Sequence, residues 1–516
     1  MTNLQKVTDI GAWPEPFMHR ICKMASLFPD SVALLVGKET VTYHQLLSRS
    51  LDLAAKIKDD ASEYCILYID NSAYRFIAIL AAILAGKTYV PVATQRATAL
   101  RTKHMLCQVD MANACFITMS ENETGLALVN QFIPKGALVI GREALLKPPA
   151  AKQPSLEDMV QKIQNPNVCL LFTSGSTGAP KGVLLTHKNI NCFVENTIET
   201  FGVSKEDIFG HVASYAFDCH IHDFIVPLCA GASVQVIGAL EQKRLLLMMR
   251  YYEITHSVIG PSFLTSIMAD GFNIPNFLPK FKRGLIGGEP VTQEICRWWS
   301  KIAPKSDIYN VYGPTEATVI FTYHRWSPRG KQKRVPIGKP FEGLKVSVLD
   351  KKGNEVAIGE EGELCLAGGQ VAAGYLNDEK NTQKAFFNSA GEHWYRSGDF
   401  VEKQAGGELV FVGRRDDCLK VSGIRVNKFE LEEEIRAATG LVSLAVAPVG
   451  GSNFCQHYAL FLTPGQQQKS MIIEKCKAHM PQRMCPAHVF VETLPINQNG
   501  KVDYAALDLR LTEKLE

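Results

Sequence analysis

One run of Ser, Thr and Gly that ends in a lysine has the residue types that bind polyphosphate. It reads Thr173-Ser-Gly-Ser-Thr-Gly-Ala-Pro-Lys181-Gly182 and directly follows the strand candidate Val168–Phe172. Glycines allow backbone N–H groups to approach phosphate oxygens closely, the hydroxyls add hydrogen-bond donors, and Lys181 adds a positive charge. The run therefore predicts a loop that binds a nucleoside triphosphate.

This loop differs from a Walker loop, in which Gly-Lys is followed by Ser or Thr at the start of a helix. Here Lys181 is followed by Gly182 and by Val183-Leu184-Leu185, an apolar run that predicts a strand. The alternative is a flexible surface turn rich in Ser and Gly. A match over ten residues favours the phosphate loop.

Short apolar stretches alternate with longer helical patterns on both sides of the loop. Besides Val168–Phe172, the strand candidates are Cys65–Asp70, Val234–Ile237 and Leu344–Leu349, and Ala73–Ala85 has a helical pattern. Alternation of this kind predicts an α/β fold of layered sheets and helices. A chain of 516 residues exceeds the size of one hydrophobic core, so we expect at least two domains.

The carboxyl-terminal part of the chain has a different pattern. The charged stretch Gly413–Lys420 is a candidate hinge, although it also fits a charged surface turn. A capped helix that includes Leu431–Ile435, and strands over Ser443–Pro448 and Tyr458–Thr463, follow this stretch. We therefore predict a small α+β domain after the hinge.

The composition is that of a globular protein, with 46% apolar residues, 21% charged residues and a net charge of +3. Lys and Arg are interspersed with Asp and Glu, so the sequence has no basic patch of the kind that binds nucleic acid. The 14 cysteines are scattered singly without a C-x-x-C pair, which indicates reduced thiols. Met1–Ile10 lacks an apolar signal core, and the longest apolar run, Phe76–Ala85, is too short to span a bilayer. We expect a cytoplasmic protein with no membrane partner.

The phosphate loop resembles the signature of the adenylate-forming superfamily, which contains acyl-CoA synthetases, luciferases and peptide-synthetase adenylation domains. Other segments resemble motifs of the same family, occur in the family's order and cover almost the whole chain. These segments are Thr42-Tyr43 with Leu46, Leu84–Pro91, Tyr312-Gly-Pro-Thr-Glu316, Gly362-Glu-Leu, Gly374-Tyr-Leu, Tyr395-Arg-Ser-Gly-Asp399, Gly413-Arg-Arg-Asp416 and Asn499-Gly-Lys501. The resemblance implies a large N-terminal domain of layered α/β subdomains plus a small distorted β-barrel, residues 1–414, and a small mobile α+β C-terminal domain, residues 415–516.

The same resemblance implies an ATP site. Tyr312 would stack on adenine, Asp399 would accept hydrogen bonds from the ribose hydroxyls, and Glu316 would bind Mg²⁺. The residues implied to bind the nucleotide are Thr173, Ser174, Gly175, Ser176, Thr177, Gly178, Lys181, Gly287, Gly288, Glu289, Asn310, Tyr312, Gly313, Asp399 and Arg414. Taken singly, Tyr312 also fits a packed aromatic, Asp399 a turn acceptor and Glu316 a solvated carboxylate at a helix start.

The implied reaction is an in-line attack of a substrate carboxylate on the α-phosphorus of ATP, with pyrophosphate as the leaving group. Such a reaction needs positioning and charge neutralisation rather than a protein nucleophile. Thr315 and Glu316 would contribute to catalysis, and Lys501 would bridge the carboxylate and the α-phosphate. A solvated loop lysine is the alternative for Lys501.

The resemblance also implies transfer of the acyl group to a thiol. The C-terminal domain would rotate about Asp416, which withdraws Lys501 and lets Gly423 and Arg425 line a tunnel for a pantetheine arm. Only fifteen residues follow Lys501, too few for a carrier domain, so we expect a separate carrier protein as the acceptor. In this organisation the chain is similar to free-standing amino-acid adenylation enzymes such as D-alanine:carrier protein ligases.

The resemblance further implies that the acid is an amino acid. Family members that activate amino acids have an aspartate after a phenylalanine, and in Phe217-Asp218 the carboxylate would pair with the substrate ammonium. The positions that match the family's specificity pocket are Asp218, Cys219, His222, Val258, Leu285, Gly287, Val311, Val319 and Ile320, with Lys501 at the substrate carboxylate. The segment Asp218-Cys-His-Ile-His222-Asp223 departs from the usual motif, in which a hydroxyl residue and an aromatic are common.

The histidines of this segment leave alternatives open. His222 would either narrow the pocket or bond a polar substrate. Without the resemblance, His220, His222 and Asp223 suggest a metal site, because histidines two apart on a strand share a face. No further His or Cys ligand follows at a telling spacing, which argues against a metal there.

Three functions are compatible with these residues. The leading one is formation of an aminoacyl-adenylate followed by thioester transfer to a carrier protein. The nearest alternative is an acyl- or aryl-CoA ligase, which would use coenzyme A and would have an apolar pocket with Asp218 pointing outward. A catalytically silent nucleotide-binding or scaffold protein is the second alternative, and the intact residues Lys181, Glu316, Asp399 and Lys501 argue against it.

Overall fold

Several helices of this computed structural model begin at a polar capping residue. Thr42 and Thr186 each form a capping box at the start of a 15-residue helix. The predicted helix at Ala73 is confirmed over Ala73–Leu84 and is buried along almost its whole length, as a run of Ala, Ile and Leu favours.

The residues that the structure describes are 16–70, 72–94, 99–150, 155–161, 163–174, 180–212, 214–238, 244–330, 334–414, 418–421, 424–449, 454–455, 457–463, 469–480, 485–496 and 502–515.

The described residues form sixteen α-helices and two short 3-10 turns, Met111–Asn113 and Thr315–Ala317. A π-helical segment, Ile221–Ile225, leads directly into the ninth helix. The helices are α1 (Phe17–Leu27), α2 (Tyr43–Ile57), α3 (Ala73–Leu84), α4 (Ala99–Leu106), α5 (Glu123–Asn130), α6 (Arg142–Leu146), α7 (Leu156–Gln161), α8 (His187–Phe201), α9 (Val226–Cys229), α10 (Leu245–Tyr251), α11 (Pro261–Ala269), α12 (Gln293–Ile302), α13 (Glu379–Ala385), α14 (Lys428–Thr439), α15 (Lys469–His479) and α16 (Tyr504–Leu515).

The strands are mostly short and apolar. Every strand predicted from the sequence is confirmed, with bounds that differ by one to three residues. The strands are β1 (Val32–Val36), β2 (Glu39–Thr42), β3 (Tyr64–Ile69), β4 (Thr88–Pro91), β5 (Ala114–Met119), β6 (Val139–Ile140), β7 (Asn167–Ser174), β8 (Pro180–Thr186), β9 (Ile208–His211), β10 (Ser233–Val236), β11 (His256–Ile259), β12 (Arg283–Gly287), β13 (Asp307–Tyr312), β14 (Thr322–Arg325), β15 (Lys339–Pro340), β16 (Lys345–Leu349), β17 (Glu361–Ala367), β18 (Phe386–Ser389), β19 (Glu392–Lys403), β20 (Leu409–Arg414), β21 (Cys418–Val421), β22 (Ile424–Asn427), β23 (Leu444–Pro448), β24 (Phe454–Cys455), β25 (Tyr458–Leu462) and β26 (His488–Val491).

The largest sheet has nine strands in the order β15-β14-β13-β12-β11-β9-β10-β1-β2. Its centre, from β13 to β1, is parallel, and β2, β14 and β15 form antiparallel edges. Parallel strands end at the same edge of a sheet, which is where α/β proteins bind ligands. Asp218 follows β9, Gly288 follows β12 and Gly313 follows β13, so three predicted site segments lie at that edge.

A second sheet has six strands in the order β6-β5-β3-β4-β7-β8. It is parallel apart from the antiparallel pair β7 and β8, which bounds the phosphate loop. Side chains from both large sheets and from helices α1, α2, α3 and α8 share one continuous apolar core. Burial of this core fixes the two sheets relative to each other.

Three smaller sheets follow in the chain. Strands β16–β20 form a five-stranded antiparallel sheet within residues 1–414, the domain for which a small barrel is predicted. Strands β21, β22 and β24 form one three-stranded sheet, and β23, β25 and β26 form another. From Leu419 onward the described side chains bury two apolar clusters of their own.

The predicted α/β fold class is confirmed by these mixed sheets and their covering helices. Among the helices that the structure describes, none is long and apolar enough to cross a membrane. The twelve cysteines with described side chains are all free thiols.

Candidate active site

The phosphate loop joins two antiparallel strands. β7 and β8 pair with Thr173 opposite Lys181, so the two ends of the loop are held side by side. Val183 and Leu185 alternate into the core, which explains why the apolar run after Lys181 becomes a strand rather than a helix. The predicted strand is confirmed, and the tip of the loop, residues 175–179, lies outside the described residues.

Tyr375 connects the phosphate loop to the predicted metal ligand. Lys181 Nζ lies 5.0 Å from the centroid of the Tyr375 ring, a cation–π contact. The Tyr375 hydroxyl donates a hydrogen bond of 2.8 Å to Glu316 Oε1. Burial, and then the charge of Glu316, raises the pKa of Tyr375, so the phenol stays protonated and remains a donor. Sequence reasoning assigned no role to Tyr375, although its Gly-Tyr-Leu motif is a detectable signal.

The surroundings of Glu316 fit a magnesium ligand. Its side chain lies in the 3-10 turn after β13, is largely buried and is oriented by Tyr375. Mg²⁺ in nucleotide sites is bound by one or two carboxylates together with phosphate oxygens. Within the described ranges, no group of three or more His, Cys, Asp and Glu side chains could hold a metal ion by itself. One carboxylate near the phosphate loop therefore fits an ion that ATP also binds.

Three residues predicted to bind the nucleoside come together from three strands. Tyr312 at the end of β13 donates a hydrogen bond of 2.6 Å to Asp399 Oδ2. Arg414 at the end of β20 lies opposite Asp399 of β19, with its Nε 3.2 Å from Asp399 Oδ1. Burial, and then the charge of Asp399, raises the pKa of Tyr312 well above its usual range. The cluster presents an aromatic ring, a carboxylate and a guanidinium, the groups that suit a nucleoside and its phosphate.

Glycines at the ends of β12 and β13 allow close approach of the backbone. A Cβ on Gly287 would lie 2.2 Å from the carbonyl oxygen of Val311, and a Cβ on Gly313 would lie 2.5 Å from that of Val319. Gly288 has a φ of +83°, which favours glycine. Only glycine fits at Gly287 and Gly313, because any Cβ there would collide with a neighbouring backbone carbonyl oxygen.

Two other residues predicted to bind the nucleotide have partners within the protein. Glu289 Oε2 accepts a hydrogen bond of 2.8 Å from the Ser262 N–H in the first turn of α11. The Asn310 side chain is buried and donates to the carbonyl oxygens of Val335 and Pro336. Both side chains fix loops at the edge of the nine-stranded sheet, and their contact with nucleotide stays a prediction.

Asp218 lies beside the turn that carries Glu316. Thr315 Oγ1 donates a hydrogen bond of 2.7 Å to Asp218 Oδ2. The contact joins the connection after β9 to the turn after β13, which are 97 residues apart in the sequence. The residue predicted to bind a substrate ammonium therefore contacts the residue that precedes the predicted metal ligand.

The predicted specificity positions divide into accessible and enclosed residues. Asp218, Cys219 and Val258 are partly exposed, whereas the other side chains are buried. The buried positions are His222, Leu285, Gly287, Val311, Val319 and Ile320. The accessible part of this set is small and contains one carboxylate among otherwise apolar groups.

The histidines after Asp218 lie on a helix, so the argument for a metal site from two histidines on one face of a strand does not apply. His220 is in the first helical turn and His222 is in the π-helical segment Ile221–Ile225. The local sequence is rich in β-branched and aromatic residues, but packing of the segment between the two sheets overrides that preference. His220 and His222 consequently point to different partners.

His222 has both ring nitrogens engaged inside the core. Its Nδ1 donates to Asp223 Oδ1 over 2.8 Å, and its Nε2 lies 3.2 Å from Nε2 of His256. Burial lowers the pKa of His256 well below its usual range, so that ring is neutral. Of the two roles left open for His222, this arrangement favours narrowing the pocket over bonding a polar substrate.

Some predicted residues lie outside the described residues. For Ser174 and Arg425 the backbone is described and the side chain is not. The residues not described at all are Gly175, Ser176, Thr177, Gly178, Asp416, Gly423 and Lys501. Their predicted roles in phosphate binding, hinge motion, the thiol tunnel and catalysis stay predictions.

The model of one protein family, described as AMP-binding enzyme, matches residues 23–376 of the chain. Among curated proteins, the chain is 28% identical to syringomycin synthase SyrB1 of Pseudomonas syringae pv. syringae, over 95% of this chain and 81% of that protein. It is 26% identical to the D-alanine–D-alanyl carrier protein ligase of Bacillus licheniformis, over 95% of this chain and 99% of the ligase.

Solved structures have the same fold. The Vibrio cholerae adenylation domain AlmE, in complex with glycyl-adenosine-5′-phosphate, superposes with a TM-score of 0.69 at 25% sequence identity. The match covers 98% of this chain and 99% of that one. The likeness extends over both the large N-terminal and the small C-terminal parts, in agreement with the predicted architecture.

Proposed function

The chain belongs to the family of AMP-binding enzymes, and from this we propose that it activates an amino acid with ATP and transfers it to the thiol of a separate carrier protein. ATP-dependent activation of a carboxylate as acyl-AMP is the activity of this family. The amino acid as substrate and the phosphopantetheine of a carrier protein as acceptor are our proposals. One observation carries the proposal of an amino acid: Thr315, in the same turn as Glu316, donates a hydrogen bond from Oγ1 to Asp218 Oδ2.

Asp218 is the acceptor for the substrate's α-ammonium group in this proposal. It is a partly exposed carboxylate in an otherwise apolar set of residues, and such a carboxylate gains most from a cation that also donates hydrogen bonds. Thr315 engages one oxygen and so fixes the plane of the carboxylate. A fatty or aryl acid offers no cation at this point, which supports an amino acid over the CoA-ligase alternative.

The adenylation step needs positioning more than protein acid–base chemistry. A substrate carboxylate oxygen attacks the α-phosphorus, and the bond to the bridging oxygen of pyrophosphate breaks. Thr173 and Lys181 lie at the two ends of the phosphate loop, while Tyr312 and Asp399 hold the nucleoside side. Mg²⁺, when bound at Glu316, neutralises part of the phosphate charge. Lys501 would neutralise the charge that develops between the carboxylate and the α-phosphate.

The second half-reaction forms a thioester. A thiolate sulfur attacks the acyl carbon of the adenylate, and AMP leaves. We propose that residues 415–516 rotate about Asp416 relative to residues 1–414 for this step, with Gly423 and Arg425 beside the incoming pantetheine. The relative from Bacillus licheniformis is named as a ligase of D-alanine to a carrier protein, and its chain is matched over 99% of its length, which supports a carrier protein as the acceptor here.

Exchange of radioactive pyrophosphate into ATP tests the proposal directly. The full chain is assayed with a panel of D- and L-amino acids, their deamino analogues, and fatty and aryl acids. We expect one or a few amino acids to support exchange, with a preference of at least about a hundredfold over the matching deamino acid, because the analogue leaves Asp218 without its cation. Transfer to carrier proteins and to coenzyme A is then compared with the preferred acid.

Asp218→Asn keeps the size of the side chain and removes its charge. We expect kcat/KM for the amino acid to fall about a hundredfold with little change in the KM for ATP. The matched control is Asp270→Asn, an exposed aspartate, which should behave as wild type. A preference for a fatty or aryl acid, unaffected by Asp218→Asn, would establish the CoA-ligase alternative. Exchange with no acid at all would support the silent nucleotide-binding alternative.

A further inference from the structure

The turn that carries Asp218 is anchored to the six-stranded sheet at two points. Before Asp218, the Tyr215 hydroxyl lies 2.8 Å from the carbonyl oxygens of both Leu67 and Val92 and accepts from the Ile69 N–H. After Asp218, the Tyr89 hydroxyl lies 2.6 Å from Nε2 of His220. Asp218 itself belongs to the connection between β9 and β10 of the nine-stranded sheet, so both contacts cross from one sheet to the other.

The partners of His220 determine where its hydrogen atom lies. Its Nδ1 forms a short contact with the carbonyl oxygen of Phe217, which can only accept, so Nδ1 carries the hydrogen. Burial lowers the pKa of His220 to about 4, and the ring is neutral near pH 7. Its Nε2 is therefore an acceptor, and the Tyr89 hydroxyl donates to it.

This arrangement fixes one particular peptide unit. The carbonyl of Phe217 belongs to the peptide bond that joins Phe217 to Asp218, and it accepts hydrogen bonds from both the backbone N–H and the ring Nδ1 of His220. Thr315 holds the carboxylate of the same Asp218 from the other side. The backbone and the side chain of Asp218 are thus positioned by different elements, β4 through His220 and the turn after β13 through Thr315.

Tyr89 and His220 are both 0% exposed, so the contact between them lies in the interior of the protein. The Cys169 thiol on neighbouring β7 is also close to the Tyr89 hydroxyl, and burial raises the pKa of that thiol to about 12, so it stays neutral. In this enclosure the hydroxyl of Tyr89 is the group that satisfies Nε2 of His220, and its removal leaves a buried acceptor unpaired.

We propose that Tyr89 and His220 are positioning residues for Asp218, and that they hold it in the place where it accepts the substrate's ammonium group. The inference rests on the proposed function, because it assigns the pair to the amino-acid half of the site. The pair acts on recognition of the amino group and leaves the nucleotide side of the site unchanged.

Three variants of the full chain test the pair by steady-state exchange kinetics. Tyr89→Phe removes the donor and keeps the ring, and we expect the KM for the amino acid to rise about tenfold with the KM for ATP changed less than about twofold. The preference for the amino acid over its deamino analogue should fall by a similar factor. His220→Asn retains a donor for the Phe217 carbonyl and should lose less than His220→Phe, a rescue that a purely packing role would not produce.

The matched control is Tyr43→Phe. The Tyr43 hydroxyl is equally buried and donates over 2.7 Å to the carbonyl oxygen of Ala232, but it lies outside the site. This variant should lose stability without any change in the preference for the amino group. The proposal is overturned if Tyr89→Phe folds and leaves amino-acid KM and preference unchanged, or if both KM values rise together. Absence of amino-acid exchange in the wild type would refute the proposed function, and with it the role of the pair.

Discussion

At the scale of single residues, three carboxylates of the site have a hydroxyl partner. Tyr312 donates to Asp399, Tyr375 donates to Glu316, and Thr315 donates to Asp218. A hydroxyl donor orients a carboxylate without neutralising it, and Asp399 in addition pairs with Arg414. The three hydroxyls fix the orientations of three carboxylates, to which we assign the ribose hydroxyls, a metal ion and an ammonium group.

Asp399→Asn tests the nucleoside part of this arrangement. The amide keeps the size of the side chain but removes the charge beside Arg414 and one acceptor for ribose hydroxyls. We expect the KM for ATP in the exchange assay to rise at least about tenfold, while the KM for the amino acid changes little. Asp307→Asn, which alters a half-exposed aspartate paired with Arg325, is the matched control. Equal effects of the two substitutions would contradict the assignment of Asp399.

At the scale of elements, a buried ion cluster holds the strands that carry the site. The Asp207 side chain is fully buried just before β9 and lies 2.8 Å from Lys282 Nζ and 3.1 Å from Arg283 Nη1. It also accepts from Ser204 N–H and from the Thr255 hydroxyl. The cluster ties the start of β9 to the starts of β11 and β12, so the far ends of these strands are held in register at the site.

Asp207→Asn should destabilise the N-terminal part of the chain by about 3 kcal/mol at pH 7, because two cations are left without their buried partner. Urea unfolding, followed by tryptophan fluorescence, measures the loss of unfolding free energy. Trp298 and Trp299 report on this region because they belong to the apolar cluster against which Ile208, the neighbour of Asp207, packs. Loss of the exposed ion pair in Asp307→Asn should lower the free energy of unfolding by less than about 0.5 kcal/mol. Similar losses for the two variants would show that the cluster has no special role.

Asp207 should also make the stability of the fold depend on pH. Burial acts to raise the pKa of Asp207, but the hydrogen bonds from Lys282 and Ser204 and the charge of Arg283 outweigh it and hold the pKa below its usual range. A carboxyl with a lowered folded-state pKa stabilises the fold above its unfolded-state pKa, and this stabilisation is lost as the pH falls through the folded-state value. The stability difference between wild type and Asp207→Asn should therefore be constant from pH 7 to about pH 5 and shrink below about pH 4. A difference that grows toward low pH would contradict this.

At the scale of the whole molecule, the described residues that we propose to bind the nucleotide and the amino acid lie within residues 1–414. The two large sheets share a continuous apolar core, whereas the described residues from Leu419 onward bury separate clusters. Separate cores allow one part to move as a body without unfolding the other. This division is what a mechanism with two half-reactions at one site requires.

Lys501→Ala tests the contribution of the C-terminal part. We expect pyrophosphate exchange to fall at least about a hundredfold, because the negative charge of the transition state is no longer neutralised by the lysine. The affinity for ATP, measured by calorimetry, should change only a few-fold. Lys477→Ala changes an exposed lysine in the last turn of α15 and is the matched control. Exchange that is unchanged in Lys501→Ala would remove this lysine from the mechanism.

Much of the fold follows from local sequence. The strand after Lys181, the helix at Ala73 and the strands of the carboxyl-terminal part are specified by apolar runs and by their spacing, and all of them are confirmed. The phosphate loop is equally local, since its glycines, hydroxyls and lysine are contiguous. Such features depend on residues close together in the chain and can be predicted without knowledge of the tertiary structure.

Only the tertiary structure determined which distant residues meet. Tyr375 contacts Glu316 across 59 residues and Tyr89 contacts His220 across 131 residues, and no periodicity in the sequence indicates either pair. The alternative of a metal site at the histidines after Asp218 assumed a strand, but their segment is helical, and His220 contacts Tyr89 while His222 contacts Asp223 and His256. Sequence alone determined the chemistry that this protein carries, because local residue types set it; the fold decided which partners orient that chemistry, because burial between sheets selects contacts that the chain order does not specify.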